Sequence, residues 1–184
     1  MVPQRANQLW VSDITYIRTG KDFAYLSLVT DAYSRKIIGF CLSHDLSTDN
    51  CLSALRMALA TRLVDQPLVH HSDRGTQYCS QAYTKLLKTR GIAISMTQSG
   101  NPRDNAIAER VNGILKQELL NESYDNISSA YKSVKHAISI YNTLRPHSSL
   151  DMLTPENAHT KTGQLKRRWR NYYPQREMEV AMSG

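Results

Sequence analysis

Three carboxylates occupy settings that metal-assisted phosphoryl chemistry requires. Asp13 lies inside an apolar, β-branched run, Asp73 ends another, and Glu109 falls on a helical pattern, with 35 residues between the last two. Aspartate is depleted in strands, so a carboxylate between Val11 and Ile14 needs a partner. Asp73 follows Pro67-Leu-Val-His-His71, at the strand end where open α/β sheets gather ligand groups, although a turn cap at Arg74-Gly75 explains it equally. Three acids near one point repel and hold their protons more tightly, which a divalent cation relieves. Mg²⁺, or Mn²⁺ in its place, takes oxygen ligands and keeps waters, so a few carboxylates plus a phosphate complete its shell. Two such ions about 4 Å apart activate the attacking oxygen and stabilise the leaving one, the chemistry of in-line displacement at phosphorus.

The helix that carries Glu109 is expected over residues 105–122, capped by Asp104 or Asn105. At about 100° per residue, Ile107, Val111, Ile114 and Leu115 form a core stripe. Asn105, Glu109, Asn112 and Lys116 share the opposite side, a face of amide, acid, amide and ammonium. A solvated face explains any one of them equally. Residues 98–106, QSGNPRDNA, have loop chemistry and no apolar anchor, so a mobile loop is expected without DNA. Its Ser99, Asn101 and Arg103 either reach DNA or belong to a plain linker.

The elements that must position these groups alternate in type. Residues 8–18, a turn at Gly20-Lys21-Asp22, 23–31 and 36–44 read as an antiparallel meander. A helix follows from Ser47 or Thr48, then a short strand at 67–73, a helix at 80–90 closed by Gly91, and a strand at 92–97. After the Glu109 helix, Ser128 caps another at about 129–143, ended by Pro146. The order βββαβαβαα fits an α/β fold with a mixed five-stranded sheet flanked by helices on both faces.

With 184 residues and 41% hydrophobic content, the chain suits one domain, residues 1–157, plus a tail, 158–184. Seventeen basic and fourteen acidic residues fall in 1–156, whereas 157–176 hold six basic residues and no acid. Such a tail seeks a polyanion, nucleic acid before membrane, and Lys166, Arg167, Arg168, Trp169 and Arg170 combine cations with a ring that stacks on bases. The three cysteines lack disulfide or metal spacing, and neither a leader nor a membrane span is visible. A cytoplasmic protein is expected. Without a Walker-type phosphate loop, no nucleotide cofactor is expected.

Several words of the sequence carry a specific resemblance. Trp10-Val-Ser-Asp-Ile-Thr-Tyr-Ile17, Asp31-Ala-Tyr-Ser-Arg-Lys36, His71-Ser-Asp-Arg-Gly-Thr-Gln-Tyr78, Asn101-Pro-Arg-Asp-Asn-Ala106 running into Glu109, Leu115-Lys-Gln-Glu118 and Tyr141-Asn-Thr-Leu-Arg-Pro-His147 follow one another. In this order they resemble the catalytic core of IS3-type insertion-sequence transposases, within the retroviral-integrase-like DDE superfamily. The resemblance implies an RNase H-like fold with Asp13, Asp73 and Glu109 as a metal-binding catalytic triad. It implies Lys116 as a basic group directed at DNA near the cut. It further implies cleavage at the element's terminal inverted repeats and attack of the freed 3′-OH on target DNA, by a homo-oligomer holding two ends. Such proteins usually carry helix-turn-helix segments before the core, so this chain resembles a fragment or excised core. Arg110 departs from the family pattern and either meets phosphate or points to solvent.

His70-His71-Ser72-Asp73 is no hydrolase triad, because neighbouring strand residues face opposite sides. His71 is a candidate for supporting the metal site from behind, or a simple packed histidine. Tyr141, Asn142, Arg145 and His147 read first as a structural clamp and second as a DNA contact. Two further readings of the whole stay open: a nuclease of the same fold that does not join strands, and a DNA-binding remnant without catalysis.

Overall fold

Aromatic and β-branched residues draw the first part of the chain into a meander. β1 (Leu9–Thr19) pairs antiparallel with β2 (Asp22–Asp31), and β2 with β3 (Ile37–Ser43). Gly20 makes the first turn possible at φ +59°, a left-handed conformation that side chains resist. The structure is a computed structural model that describes residues 2–62, 66–97, 105–166 and 168.

Helix α1 (Thr48–Ala60) then lies across β3. Gly39 permits that approach, since a Cβ there would collide with the carbonyl oxygen of Ala54. β4 (Val69–Ser72) returns parallel to β1, and α2 (Thr76–Cys79) and α3 (Gln81–Thr89) lead to β5 (Ala93–Met96), parallel to β4. The sheet order is β3-β2-β1-β4-β5. α4 (Ala106–Ile114) runs into a π-helical turn, Leu115–Leu119. A two-residue strand, β6 (Ser123–Tyr124), adds to the far end of β1, and α5 (Ile127–Thr143) and α6 (Pro155–His159) complete the order.

Helices cover both faces. Trp10, Val29 and Ile38 pack with Leu52 and Leu55 of α1 and with Tyr83 and Leu87 of α3. On the other face, Ile17, Leu26 and Leu28 meet Val111 and Ile114 of α4 and Val134, Ile138 and Tyr141 of α5. Each such fully buried side chain contributes about 1.5–3 kcal/mol. None of the described helices is long and apolar enough to cross a membrane.

The mixed sheet agrees with the sequence reading, and four details depart from it. The helix expected over 105–122 stops being α-helical at Ile114. One wider turn, with Leu120 N–H bonded to the Leu115 carbonyl, brings Leu120 back above Leu115, so Leu115, Leu119 and Leu120 all pack on the α5 side. Asn105 does not cap α4 with its side chain, which is occupied elsewhere. α5 begins earlier than expected because Asn126, rather than Ser128, is its cap, in a reciprocal box with Ser129. α2 and β6 were too short to leave a periodic signal.

The packed chain also runs beyond residue 157. Ala158 is buried, Tyr33 donates to the Gly163 carbonyl at 2.9 Å, and Arg168 N–H donates to the Ser148 carbonyl at 2.7 Å. Asp31, wholly buried, ties the β2–β3 connection together: it accepts from Asn7 N–H and from the backbone and hydroxyl of Ser34 at 2.7–2.8 Å.

Candidate active site

Strand register brings the first two acids together. Parallel pairing sets Val11 opposite His71, and two residues further along stand Asp13, still on β1, and Asp73, just past the end of β4. Both line one concavity with Tyr16, Tyr25, Leu46 and Gln77. Here β1 is left without a neighbour on one side: β4 accompanies it only to Val11, and β6 joins it only at Arg18. The open stretch between is where α4 docks.

α4 reaches that edge through two amides. Asn105 Nδ2 donates to the Ser12 carbonyl at 3.2 Å, and Asn112 Nδ2 donates to Asp13 Oδ2 at 2.7 Å. Glu109 lies between them along the helix, with an exposed carboxylate. The polar face anticipated for α4 therefore turns partly inward: Asn105 and Asn112 are buried against β1 instead of being offered to solvent, because the unpaired edge supplies their partners. Asp73 is exposed and accepts from Gly75 N–H at 2.9 Å with Oδ1, so it is the turn cap as well as Asp13's neighbour.

The electrostatics are those of an uncompensated acid cluster. Asp13 is half-buried, and its pKa is pushed up from 3.8 to about 6. Desolvation is the main cause, the Asp73 and Glu109 charges add to it, and hydrogen bonds from Ile14 N–H and Asn112 oppose it. Among the described residues no cationic side chain pairs with any of the three acids. A divalent cation suits this arrangement, with hard oxygen donors and excess negative charge. The three carboxylates are not drawn into one shell, however: among the described residues no three acidic, imidazole or thiol groups stand close enough to hold a single ion.

The remaining sequence candidates are dispersed. Lys116 is exposed at the π-turn, with Nζ 4.0 Å from the centroid of the Tyr16 ring. His71 Nδ1 bonds Ser95 Oγ at 2.9 Å on β5, two residues before Asp73. Arg110 projects from the other flank of α4 into a cavity of about 680 Å³ lined with Arg35, Tyr141, Arg145 and His147. Lys166 and Arg168 follow the 147–151 segment, where Asp151 accepts from the Arg168 guanidinium. Arg103, Arg167, Trp169, Arg170 and most of the 98–106 loop lie outside the described residues.

The clamp reading of the 141–147 cluster has direct support. Asn142 both accepts from Ile37 N–H and donates to its carbonyl, each at 2.9 Å, while Arg145 grips Glu118 with two bonds of 2.8 Å. Sequence reasoning did not single out Tyr16 or a buried group beneath the site. There His70 Nε2 lies 2.8 Å from Ser12 Oγ and 3.0 Å from Tyr83 Oη, with its pKa driven down to about 3 by burial and by His71. The Ser12 contact is diagonal across the β1–β4 pair, since Trp10 and not Ser12 stands opposite His70.

The sequence matches the family model described as Integrase core domain over residues 3–102, and a second model of the same description over residues 90–155. The chain belongs to the integrase core domain family. This integrase core is 36% identical over 157 residues to the transposase InsF for insertion sequence IS3A of Escherichia coli K12, covering 84% of this chain and 54% of that protein. It is 35% identical to the transposase for insertion sequence element IS629 of Shigella sonnei, over 85% of this chain and 53% of that protein. A putative transposase for IS986/IS6110 of Mycobacterium tuberculosis is 41% identical over 123 residues, 64% of this chain and 44% of its own length. The integrase core thus spans about half the length of these curated relatives.

Among solved structures, the HTLV-2 integrase catalytic core domain in complex with magnesium matches with a TM-score of 0.67 and 20% identity, over 85% of this chain and 99% of that one. The catalytic core domain of BIV integrase matches with a TM-score of 0.61 and 19% identity, over 83% and 93%. These likenesses establish the RNase H-like fold. The resemblance to IS3-type cores is borne out at the level of sequence.

Proposed function

We propose that this chain is the catalytic core of a DNA transposase that cleaves donor DNA at element ends and transfers the resulting 3′-OH to a target phosphodiester. The observation that carries the proposal is the pair Asp13 and Asp73 in one concavity at the β1–β4 strand ends, with Asp13 protonated more readily than an ordinary aspartate because burial disfavours its charged form and the Asp73 and Glu109 charges add to that. Asp13, Asp73 and Glu109 would hold two Mg²⁺ or Mn²⁺ ions, which supply activation of the attacking oxygen and stabilisation of the leaving oxygen. A neighbour solved with magnesium supports that choice of metal.

The chain's own residues prepare the site. Asn112 fixes one oxygen of Asp13, and Gly75 N–H fixes one oxygen of Asp73, so each carboxylate presents a second oxygen in a set direction. Asn105 keeps the start of α4 against β1 and Asn112 ties the helix to Asp13, so Glu109 is carried between two points of attachment. Lys116, Arg110, Arg103 and the basic run Lys166, Arg167, Arg168, Trp169 and Arg170 would contact DNA phosphates, a sequence-independent attraction weakened by salt. His71 would steady the strand end behind Asp73. Element ends and target DNA are the proposed substrates, a homo-oligomer the proposed working form, and the cytoplasm its place.

The test uses end-labelled oligonucleotides carrying the element's terminus, incubated with the full chain and Mg²⁺. Cleavage together with a product joined to a second duplex is the expected result, lost in Asp73→Asn. Cleavage without any joined product would identify a nuclease instead. Metal-independent binding with no cleavage would identify a DNA-binding remnant.

A further inference from the structure

Along the open edge of β1, two concavities share one wall. The first, about 240 Å³, contains Asp13 and Asp73; the second, about 350 Å³, contains the two cations Arg18 and Lys116, one acid, Glu122, and Phe23 and Leu120; Tyr16 lines both. Tyr16, on β1, is 57% exposed and Phe23, on β2, is 42% exposed, whereas Trp10, the other aromatic residue of β1, is wholly buried. The two exposed rings meet edge to face, 5.3 Å apart at 85°. Lys116 Nζ stands 4.0 Å from the Tyr16 centroid and Arg18 stands 5.9 Å from that of Phe23. A strip of alternating rings and cations therefore leads away from the acids.

Neither packing nor β-propensity requires Tyr16 to be so exposed, and large exposed aromatics set among cations fit a ligand that is both flat and anionic. An unpaired nucleotide has that chemistry: its base offers a π-face to the ring and its phosphate offers charge to Lys116 and Arg18. A base inside a duplex does not, since both its faces are covered by stacking neighbours. Tyr16 is three residues beyond Asp13, about 10 Å along an extended strand and on its other face, but both side chains line the one concavity at the open edge, so the nucleotide would be within a short reach of a phosphate held at the acids.

We propose that Tyr16, braced by Phe23 and Lys116, is a stacking platform for an unpaired base of the DNA strand whose backbone passes Asp13 and Asp73. The inference rests on the proposed function and adds a requirement: the duplex must be frayed beside the reacting phosphate. Tyr16 positions the strand and takes no part in the bond changes.

The experiment measures binding, in Ca²⁺ so that no cleavage occurs, of the full chain to a DNA duplex with a short single-stranded overhang containing 2-aminopurine. Stacking on the ring quenches that base. Wild type and Tyr16→Phe are expected to quench it, Tyr16→Ala to lose the quenching and to bind roughly five- to 100-fold more weakly. Tyr131→Ala, which removes an exposed ring on α5, is expected to bind as wild type does. An overhang of abasic nucleotides should weaken wild type to the level of Tyr16→Ala and weaken Tyr16→Ala no further. Equal affinity of the wild type for abasic and intact overhangs would overturn the platform without reference to any variant's folding, as would losses that simply multiply. A wild type that quenches but never cleaves in Mg²⁺ or Mn²⁺ would count against the proposed function alone. One that cleaves but does not quench would count against the platform alone.

Discussion

Replacing Asp13 with asparagine removes a negative charge that the fold strains to accommodate while keeping an oxygen for Asn112 to bond. The carboxyl's pKa rises from 3.8 to about 6 on folding, chiefly through desolvation. A raised acid contributes nothing adverse below its unfolded pKa, where both states are protonated. Its penalty grows between 3.8 and about 6 and is complete above that. The difference corresponds to about 3 kcal/mol, so in metal-free buffer Asp13→Asn should unfold about 6–12 °C above wild type at about pH 7.5. The advantage should shrink as the pH falls and vanish near pH 4, and it is a difference between two proteins, so titration of the histidines cancels. Thermal and urea denaturation with EDTA at both pH values measure it. Added Mg²⁺ should raise the melting temperature of wild type and leave Asp13→Asn unmoved. If the variant proves less stable than wild type at pH 7.5, the Asp13 carboxylate is a structural anchor and not a charge awaiting a cation. An advantage that persists undiminished at pH 4 would refute the electrostatic origin.

Asp73→Asn and Glu109→Gln should each lower Mg²⁺-dependent cleavage by more than ~100-fold, beyond the loss seen for groups that only support a ligand, with the far-ultraviolet circular dichroism unchanged. Asn142→Ala should destabilise the fold by about 2–4 kcal/mol in urea, since two buried backbone groups of Ile37 lose their partner. Gly39→Ala should destabilise by about 1–3 kcal/mol by pushing α1 away from β3, and equal stability would show that α1 can shift freely. His70 is held neutral, with its pKa lowered to about 3, so its contribution is complete above 6.5 and falls away as the pH drops toward 3. His70→Gln should flatten that acid limb, as read by stability at a series of pH values.

The linear sequence went far here because its signals are local. The β-branched runs, the caps and the helical spacing of Val111, Ile114 and Leu115 specify elements whose order already implies a mixed sheet covered on both faces. The odd placement of Asp13 marks the site, since a strand interior does not hold an aspartate without a reason. The two-residue period of a strand likewise excludes a triad within His70-His71-Ser72-Asp73. Short features escaped, because the single turn of α2 and the two residues of β6 each span about one period and never repeat it.

The identities of the candidate acids and the helical phase of Glu109 were thus determined by sequence alone. Tertiary structure decided which groups answer them. Parallel register, a long-range pairing that no local pattern encodes, puts Asp13 beside Asp73. The gap between β4 and β6 draws Asn105 and Asn112 inward from a face that helical periodicity alone assigns to solvent. Burial and charge, which depend on everything packed nearby, raise the Asp13 pKa. The same open edge leaves the Tyr16 ring uncovered, because exposure depends on which neighbours a strand lacks as well as on the residues it contains.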